Sequence, residues 1–220
     1  MATYLSLEDR VNSWLELGSM IGPAQLPADI EAAALQANPW FTPYYIRRAL
    51  TEIQAWFDEE MIWQFLRQYD LPSSSDKVIG LIAAGNIPLV GVHDLFISVL
   101  SGHITQLKPS HQDQVLLQWI IDKWCQILTP LSARLHIVKQ LHQPDFFIGT
   151  GSNNTARYLR SHFANIPNIL RKNRFSVAFI DRELQDEEWQ GLLEDILLYN
   201  GTGCRNVSQI VTLTPSGWKH

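Results

Sequence analysis

From Lys77 onward, short apolar runs alternate with stretches of helical apolar spacing, and no other feature restricts the fold of this chain as strongly. Val78-Ile-Gly-Leu-Ile-Ala-Ala84 has no polar residue to turn toward water, so it predicts a strand buried on both faces, as in a parallel sheet. Residues 88–100 then predict a helix, with Gly102 near its end. Ile104-Thr-Gln-Leu-Lys108 predicts a second strand and residues 114–128 a second helix. Residues 135–141 and 146–148 predict two more strands, and Gly149-Thr-Gly-Ser152 leads into a helix over 155–163. A strand over 176–180, a helix over 186–199 and a strand over 207–213 complete the pattern. Regular alternation of this kind predicts an α/β fold, a doubly wound, Rossmann-like parallel sheet.

The first 75 residues read differently. Residues 7–17 carry apolar side chains near helical spacing. Asn38-Pro39-Trp40-Phe41-Thr42-Pro43 breaks the pattern, with Thr42 placed to cap a helix whose first turn holds Pro43. Ile46, Leu50, Ile53, Trp56 and Phe57 form one apolar stripe, which residues 61–69 continue. Leu71-Pro-Ser-Ser-Ser75 reads as a linker. The expected organisation is a helical N-terminal region (1–75), a nicotinamide-cofactor-binding domain (76–170) and a partial catalytic domain (171–220).

Composition narrows the function. The hydrophobic fraction of 46% is that of a globular chain with a sizeable core. A net charge of −5 gives no general attraction to nucleic acid or anionic lipid, so an anionic ligand needs a local site. The longest apolar stretch, 78–100, is interrupted by Asn86, Pro88, His93 and Asp94 and falls short of the roughly 20 residues of a membrane span. The N-terminus lacks the basic start and apolar core of a signal peptide, and two cysteines make no disulfide framework. A cytoplasmic protein without a metal site is expected.

Three turns follow expected strands: Ala83-Ala-Gly-Asn-Ile-Pro88, Leu107-Lys-Pro-Ser110 and Gly149-Thr-Gly-Ser-Asn153. Ligands of open parallel sheets sit beyond the carboxyl ends of the strands, so all three are placed to line one crevice. Gly149 and Gly151 allow close backbone approach, the helix after Ser152 offers free N–H groups to a phosphate, and Lys108 adds a cation. The dinucleotide fingerprint G-x-G-x-x-G is not matched, since Asn154 stands where its last glycine would, and an ordinary turn remains an alternative. Cys204 lies in Asn200-Gly-Thr-Gly-Cys-Arg-Asn-Val-Ser208, flanked by glycines and by Arg205, which favours a thiolate; a small buried hydrophobe is the alternative. Cys125, beside Trp124 and Ile127 on an apolar helical face, is expected in the core, and core packing also accounts for most of the eight tryptophans.

Together these motifs resemble the acyl-CoA reductase branch of the aldehyde dehydrogenase superfamily, which includes the fatty-acid reductase of bacterial luminescence. The similarity runs from about Asn38 to Val211 and is most specific in Gly85-Asn-Ile-Pro-Leu-Val-Gly-Val-His-Asp94, Gly149-Thr-Gly-Ser-Asn-Asn-Thr-Ala-Arg157 and Gly203-Cys-Arg-Asn-Val-Ser208. The resemblance implies that Cys204 is the nucleophile and that the Asn86 amide helps form an oxyanion hole. It implies that Lys108, with Ser110 close by, binds the adenosine ribose of NADPH (or NADH), and that Thr150, Gly151 and Ser152 receive its pyrophosphate and nicotinamide side. The substrate implied is an acyl-CoA. Aldehyde-oxidising members carry a Glu-Leu-Gly-Gly block whose carboxylate activates water; here the corresponding stretch, about Leu170-Arg-Lys-Asn173, has none, which favours reduction. The family continues well past the position corresponding to His220, so a homo-oligomer or a missing C-terminal portion is expected. The rival readings are a non-catalytic nucleotide-binding or subunit-interaction fragment and an aldehyde dehydrogenase acting oxidatively.

Overall fold

Side-chain caps set the starts of the N-terminal helices. In the computed structural model, which describes residues 4–72, 74–172 and 174–213, Ser6 accepts from the Asp9 N–H and the Asp9 carboxylate accepts from the Ser6 N–H. This capping box opens α1 (Leu7–Met20). After α2 (Ala28–Ala37), Thr42 caps α3 (Pro43–Gln54) by accepting from the Tyr45 N–H, with Pro43 in the first turn as expected. Ile46, Leu50 and Ile53 of α3 are buried. The stripe is not one helix, however: α3 ends at Gln54, and Trp56 and Phe57 lie in the turn before α4 (Glu59–Leu66), which Asp58 caps. Trp14, fully buried on α1, stacks against Phe57 at 4.7 Å and Phe96 at 4.0 Å and meets Trp124 at 5.0 Å. Its indole N–H donates to the Trp56 carbonyl, and that of Trp124 donates to the Ser13 hydroxyl, so neither burial strands a polar group.

Those aromatic contacts tie the helices to the sheet layer. The described residues form two compact units, divided between Arg171 and Lys172. In the first, α5 (Val92–Leu100) and α6 (Gln114–Ile127) pack against α1. Five parallel strands follow the order β3-β2-β1-β4-β5: β1 (Val78–Ile82), β2 (Ile104–Lys108), β3 (Leu135–Ile137), β4 (Phe146–Thr150) and β5 (Asn168–Arg171). Helix α7 (Asn153–His162) joins β4 to β5. Parallel pairing forces each connection to cross over the sheet, which is why strand and helix alternate. The second unit is a single parallel crossover, β6 (Ser176–Ile180), α8 (Asp186–Leu197) and β7 (Val207–Thr212). The α/β class and parallel sheet are those expected.

Three elements differ from expectation. Helix α5 begins at Val92 rather than at residue 88, because Leu89 takes a left-handed conformation (φ 60°) and closes a turn first. Strand β3 stops at Ile137; beyond it the Val138 N–H bonds to the Leu107 carbonyl of β2, and the His142 backbone bonds to the Gln106 side chain rather than to the β2 backbone. Strand β5 was not expected; Asn168-Ile-Leu-Arg171 is a short edge strand with polar ends. The tryptophans are also less uniform than expected: Trp14, Trp119 and Trp124 are buried, whereas Trp40 is exposed.

Candidate functional site

The site follows from strand order. From β1 the sheet grows one way through β2 and β3, then the chain returns to add β4 and β5 on the other side. Strand order reverses beside β1, and the crevice beyond its carboxyl end is where open α/β sheets bind ligands. Register sets the level of that edge. Ile82 pairs with Lys108 on one side and with Gly149 on the other, so the three turns leave the sheet at one height. Asn86, Lys108, Ser110, Thr150, Gly151 and Ser152 therefore share this edge.

Close packing shapes the turns. A Cβ on Gly85 would lie 2.6 Å from the Ser110 side chain, so glycine is what lets the first two turns touch. Asn86 follows and is exposed. Lys108 ends β2 and is exposed, while the Ser110 hydroxyl accepts from the Gln112 N–H at 3.3 Å. Thr150 pairs with Arg171, and the Gly151 N–H donates to the Arg171 carbonyl at 3.2 Å. Ser152 caps α7 by accepting from the Thr155 N–H at 3.2 Å. The first-turn N–H groups of α7 point out of the helix at this edge, where an anion is favoured.

A charged pair at the same edge was not foreseen. Arg171, at the end of β5, donates to the Asp94 carboxylate in the first turn of α5. Burial pushes the Asp94 carboxyl up, but hydrogen bonds from His93 and Arg171 outweigh it and hold it below the ordinary carboxylate range. The residues were quoted in the sequence motifs; their pairing depends on β5, which the sequence did not reveal.

Cys204 lies in the second unit, in the turn between α8 and β7, and is exposed. Tyr199, Asn200 and Gly201 take left-handed conformations in succession (φ 53°, 56° and 69°), turning the chain sharply after α8. Asn206 then fastens the turn. Its side-chain amide donates to the Asp195 and Leu198 carbonyls at 2.8 and 2.9 Å, and its side-chain oxygen accepts from the Gly203 N–H at 2.8 Å. Asn206 thus satisfies carbonyls at the end of α8 and fixes the backbone on both sides of Cys204. Its one sequence signal was an amide two residues after the cysteine. Cys125, expected in the core, is half-buried; burial, with Asp122 nearby, pushes its thiol up. Among the described residues no three His, Cys, Asp or Glu side chains converge as a metal site requires, and no helix is long and apolar enough to cross a membrane.

Comparisons with known proteins agree with the fold. Several aldehyde dehydrogenase structures superpose on the chain. A putative aldehyde dehydrogenase from Burkholderia cenocepacia does so with a TM-score of 0.75 at 15% identity, over 94% of this chain and 48% of that one. The putative aldehyde dehydrogenase PutA from Anabaena variabilis gives 0.71 at 18% identity, over 94% and 48%. The NAD+ complex of an aldehyde dehydrogenase from Bacillus cereus gives 0.61 at 16% identity, over 94% and 52%. The chain thus spans about half the length of the structures it matches. No curated protein sequence matches it. The family model described as Acyl-CoA reductase (LuxC) matches residues 16–215, which include every turn described above as well as Cys204, and the chain belongs to that family.

Proposed function

We propose that this chain carries the cofactor edge and the nucleophile of an NADPH-dependent acyl-CoA reductase that forms an aldehyde. The observation that carries the reading is the common level of the three turns: Ile82 aligned with Lys108 and Gly149 brings an exposed amide, an exposed cation and a helix N-terminus to one edge. The donor set suits a dinucleotide phosphate. In this reading the first turn of α7 accepts the pyrophosphate, and Lys108, with Ser110 close by, binds the adenosine ribose. NAD-specific sites offer that ribose a carboxylate, whereas here Lys108 at the end of β2 and His111 and Gln112 after it are exposed, and Ser110 is half-buried. NADPH is therefore preferred over NADH.

The chain's own residues divide the chemistry. The Cys204 thiolate attacks the thioester carbonyl; a new C–S bond forms, the bond to coenzyme A breaks, and coenzyme A leaves as a thiolate that takes a proton from solvent. As the family resemblance implies, the Asn86 amide and the Cys204 backbone N–H would donate to the oxyanion as it develops. A reduced nicotinamide, when bound at this edge, would supply the hydride that takes the acyl group to the aldehyde level. Collapse of the resulting hemithioacetal releases aldehyde and restores the Cys204 thiolate. The stretch Leu170-Arg-Lys-Asn173, which corresponds to the block that supplies the water-activating carboxylate in aldehyde-oxidising members, carries none, and this supports the reductive direction.

A panel of acyl-CoA chain lengths assayed with NADPH and with NADH tests the proposal. Aldehyde and free coenzyme A should appear together, in step with NADPH consumption. Faster acid formation from aldehyde with oxidised cofactor would make the protein an oxidising enzyme. Cofactor binding without thioester turnover would make it a binding module.

A further inference from the structure

We propose that Asp113 is a positioning residue for Asn86, bracing the turn at residues 85–91 from beneath; this rests on the reading of Asn86 as an oxyanion donor. Asp113 immediately precedes α6 and is only 1% exposed. An aspartate in that place ordinarily caps its own helix, yet this one makes no capping bond. Neither carboxyl oxygen makes a hydrogen bond of good geometry, and the backbone N–H that the carboxyl faces is that of Leu89. Burial pushes the group well above the ordinary carboxylate range. A buried acid without a settled partner is costly for the fold, which points to a role at this position.

The surroundings indicate that role. Leu89 is 2% exposed and holds its left-handed φ of 60°, a conformation that persists in a leucine only where neighbours enforce it. The segment that carries Asp113 touches the turn at both ends. Ser110, whose carbonyl accepts from the Asp113 N–H at 3.1 Å, packs on Gly85. Leu117, one helical turn later, lies 3.7 Å from where a Cβ on Gly91 would be. Asp113 faces the middle, at Leu89. Asn86 is thus carried on a turn held at three points by residues 110–117, and Asp113 is the polar one of the three that meets backbone.

Two variants separate bracing from general packing. Asp113→Leu keeps the position buried and removes the acceptor, whereas Asp113→Asn keeps an oxygen for the Leu89 N–H. Amide hydrogen exchange at residues 86–91 should quicken by about tenfold in Asp113→Leu, with residues 150–155 unchanged and Asp113→Asn like the parent. Coenzyme A release from acyl-CoA should slow by about tenfold to a hundredfold in Asp113→Leu, with KM for acyl-CoA unchanged. That loss should vanish when Asn86→Ala is already present, because the two residues act through one donor. Unchanged exchange at 86–91, or an equal loss with and without Asn86, overturns the proposal. If the parent protein releases no coenzyme A, the reading of Asn86 fails instead, and exchange alone decides whether Asp113 holds the turn. Should Asp113→Leu not fold, Asp113→Ala removes the same acceptor without added bulk and carries the same comparison.

Discussion

The two units solve the same βαβ problem with unequal success. In the first, helices pack on a five-stranded sheet: Trp14, Leu81, Leu107 and Trp124 are buried, and Phe147 is buried in a cluster with Leu141, Leu159 and Phe163. In the second, α8 buries no residue, and Ile180 is the one buried hydrophobic side chain among the described residues after Arg171. Phe175 is 81% exposed and Phe179 70%. A sheet of two strands and one helix cannot close a core, because each element has a face with nothing to cover it. The proposed cofactor edge therefore stands on a scaffold that supports itself, and Cys204, the proposed nucleophile, on one held locally, by the left-handed turn and by Asn206. Stability should accordingly reside in the first unit, and changes in the second should leave it almost untouched.

Trp14→Ala tests the strongest form of that contrast. It empties the contact between α1, α5 and α6 and should cost about 3–5 kcal/mol in denaturant unfolding followed by circular dichroism. A loss below about 1 kcal/mol would mean that the N-terminal helices do not support the sheet. Lys108→Ala should weaken NADPH binding by about 1.5 kcal/mol, roughly tenfold, in a fluorescence titration, while alkylation of Cys204 by iodoacetamide proceeds as before. Coupled changes in both readouts would erase the distinction between the units. Arg171→Ala should cost about 1 kcal/mol, since the pair is partly open to solvent. Its pH dependence has a definite sign. The Asp94 carboxyl lies below its ordinary range in the folded protein, so the pair's contribution is present above that range and disappears as pH falls through it. The variant and the parent should converge in acid. Phe179→Ser should shift stability by less than about 0.5 kcal/mol. A large loss would show that this exposed face is already covered.

Legibility in the sequence divides along similar lines. Strand β1 stood out because it is an apolar run ending at Gly85, as burial on both faces of a parallel sheet requires, whereas β2, β6 and β7, which mix polar with apolar residues, were legible from their places in the alternation of strand and helix. Strand β5 was missed because Asn168 and Arg171 give it no apolar signature; its pairing with β4 comes from the sheet. The late start of α5 was hidden in Leu89, since a left-handed leucine is imposed by its neighbours rather than by its own propensity. At the site, the glycine turns and Cys204 were visible as motifs. The Asp94–Arg171 pair, the Asn206 bridge and the burial of Asp113 were not, because each depends on residues brought together by tertiary packing.

The central claim is that Cys204 takes the acyl group before any hydride moves, and one mixing experiment addresses it. Acyl-CoA added to the protein without reduced cofactor should release coenzyme A in an amount close to that of the protein, with the acyl group recovered on Cys204 by mass spectrometry. Asn86→Ala should slow this release by about 10²–10³. Cys204→Ala should abolish it while NADPH binding, the control for a folded chain, persists. Coenzyme A release by Cys204→Ala equal to that of the parent, or an acyl group found on Cys125, would contradict the account.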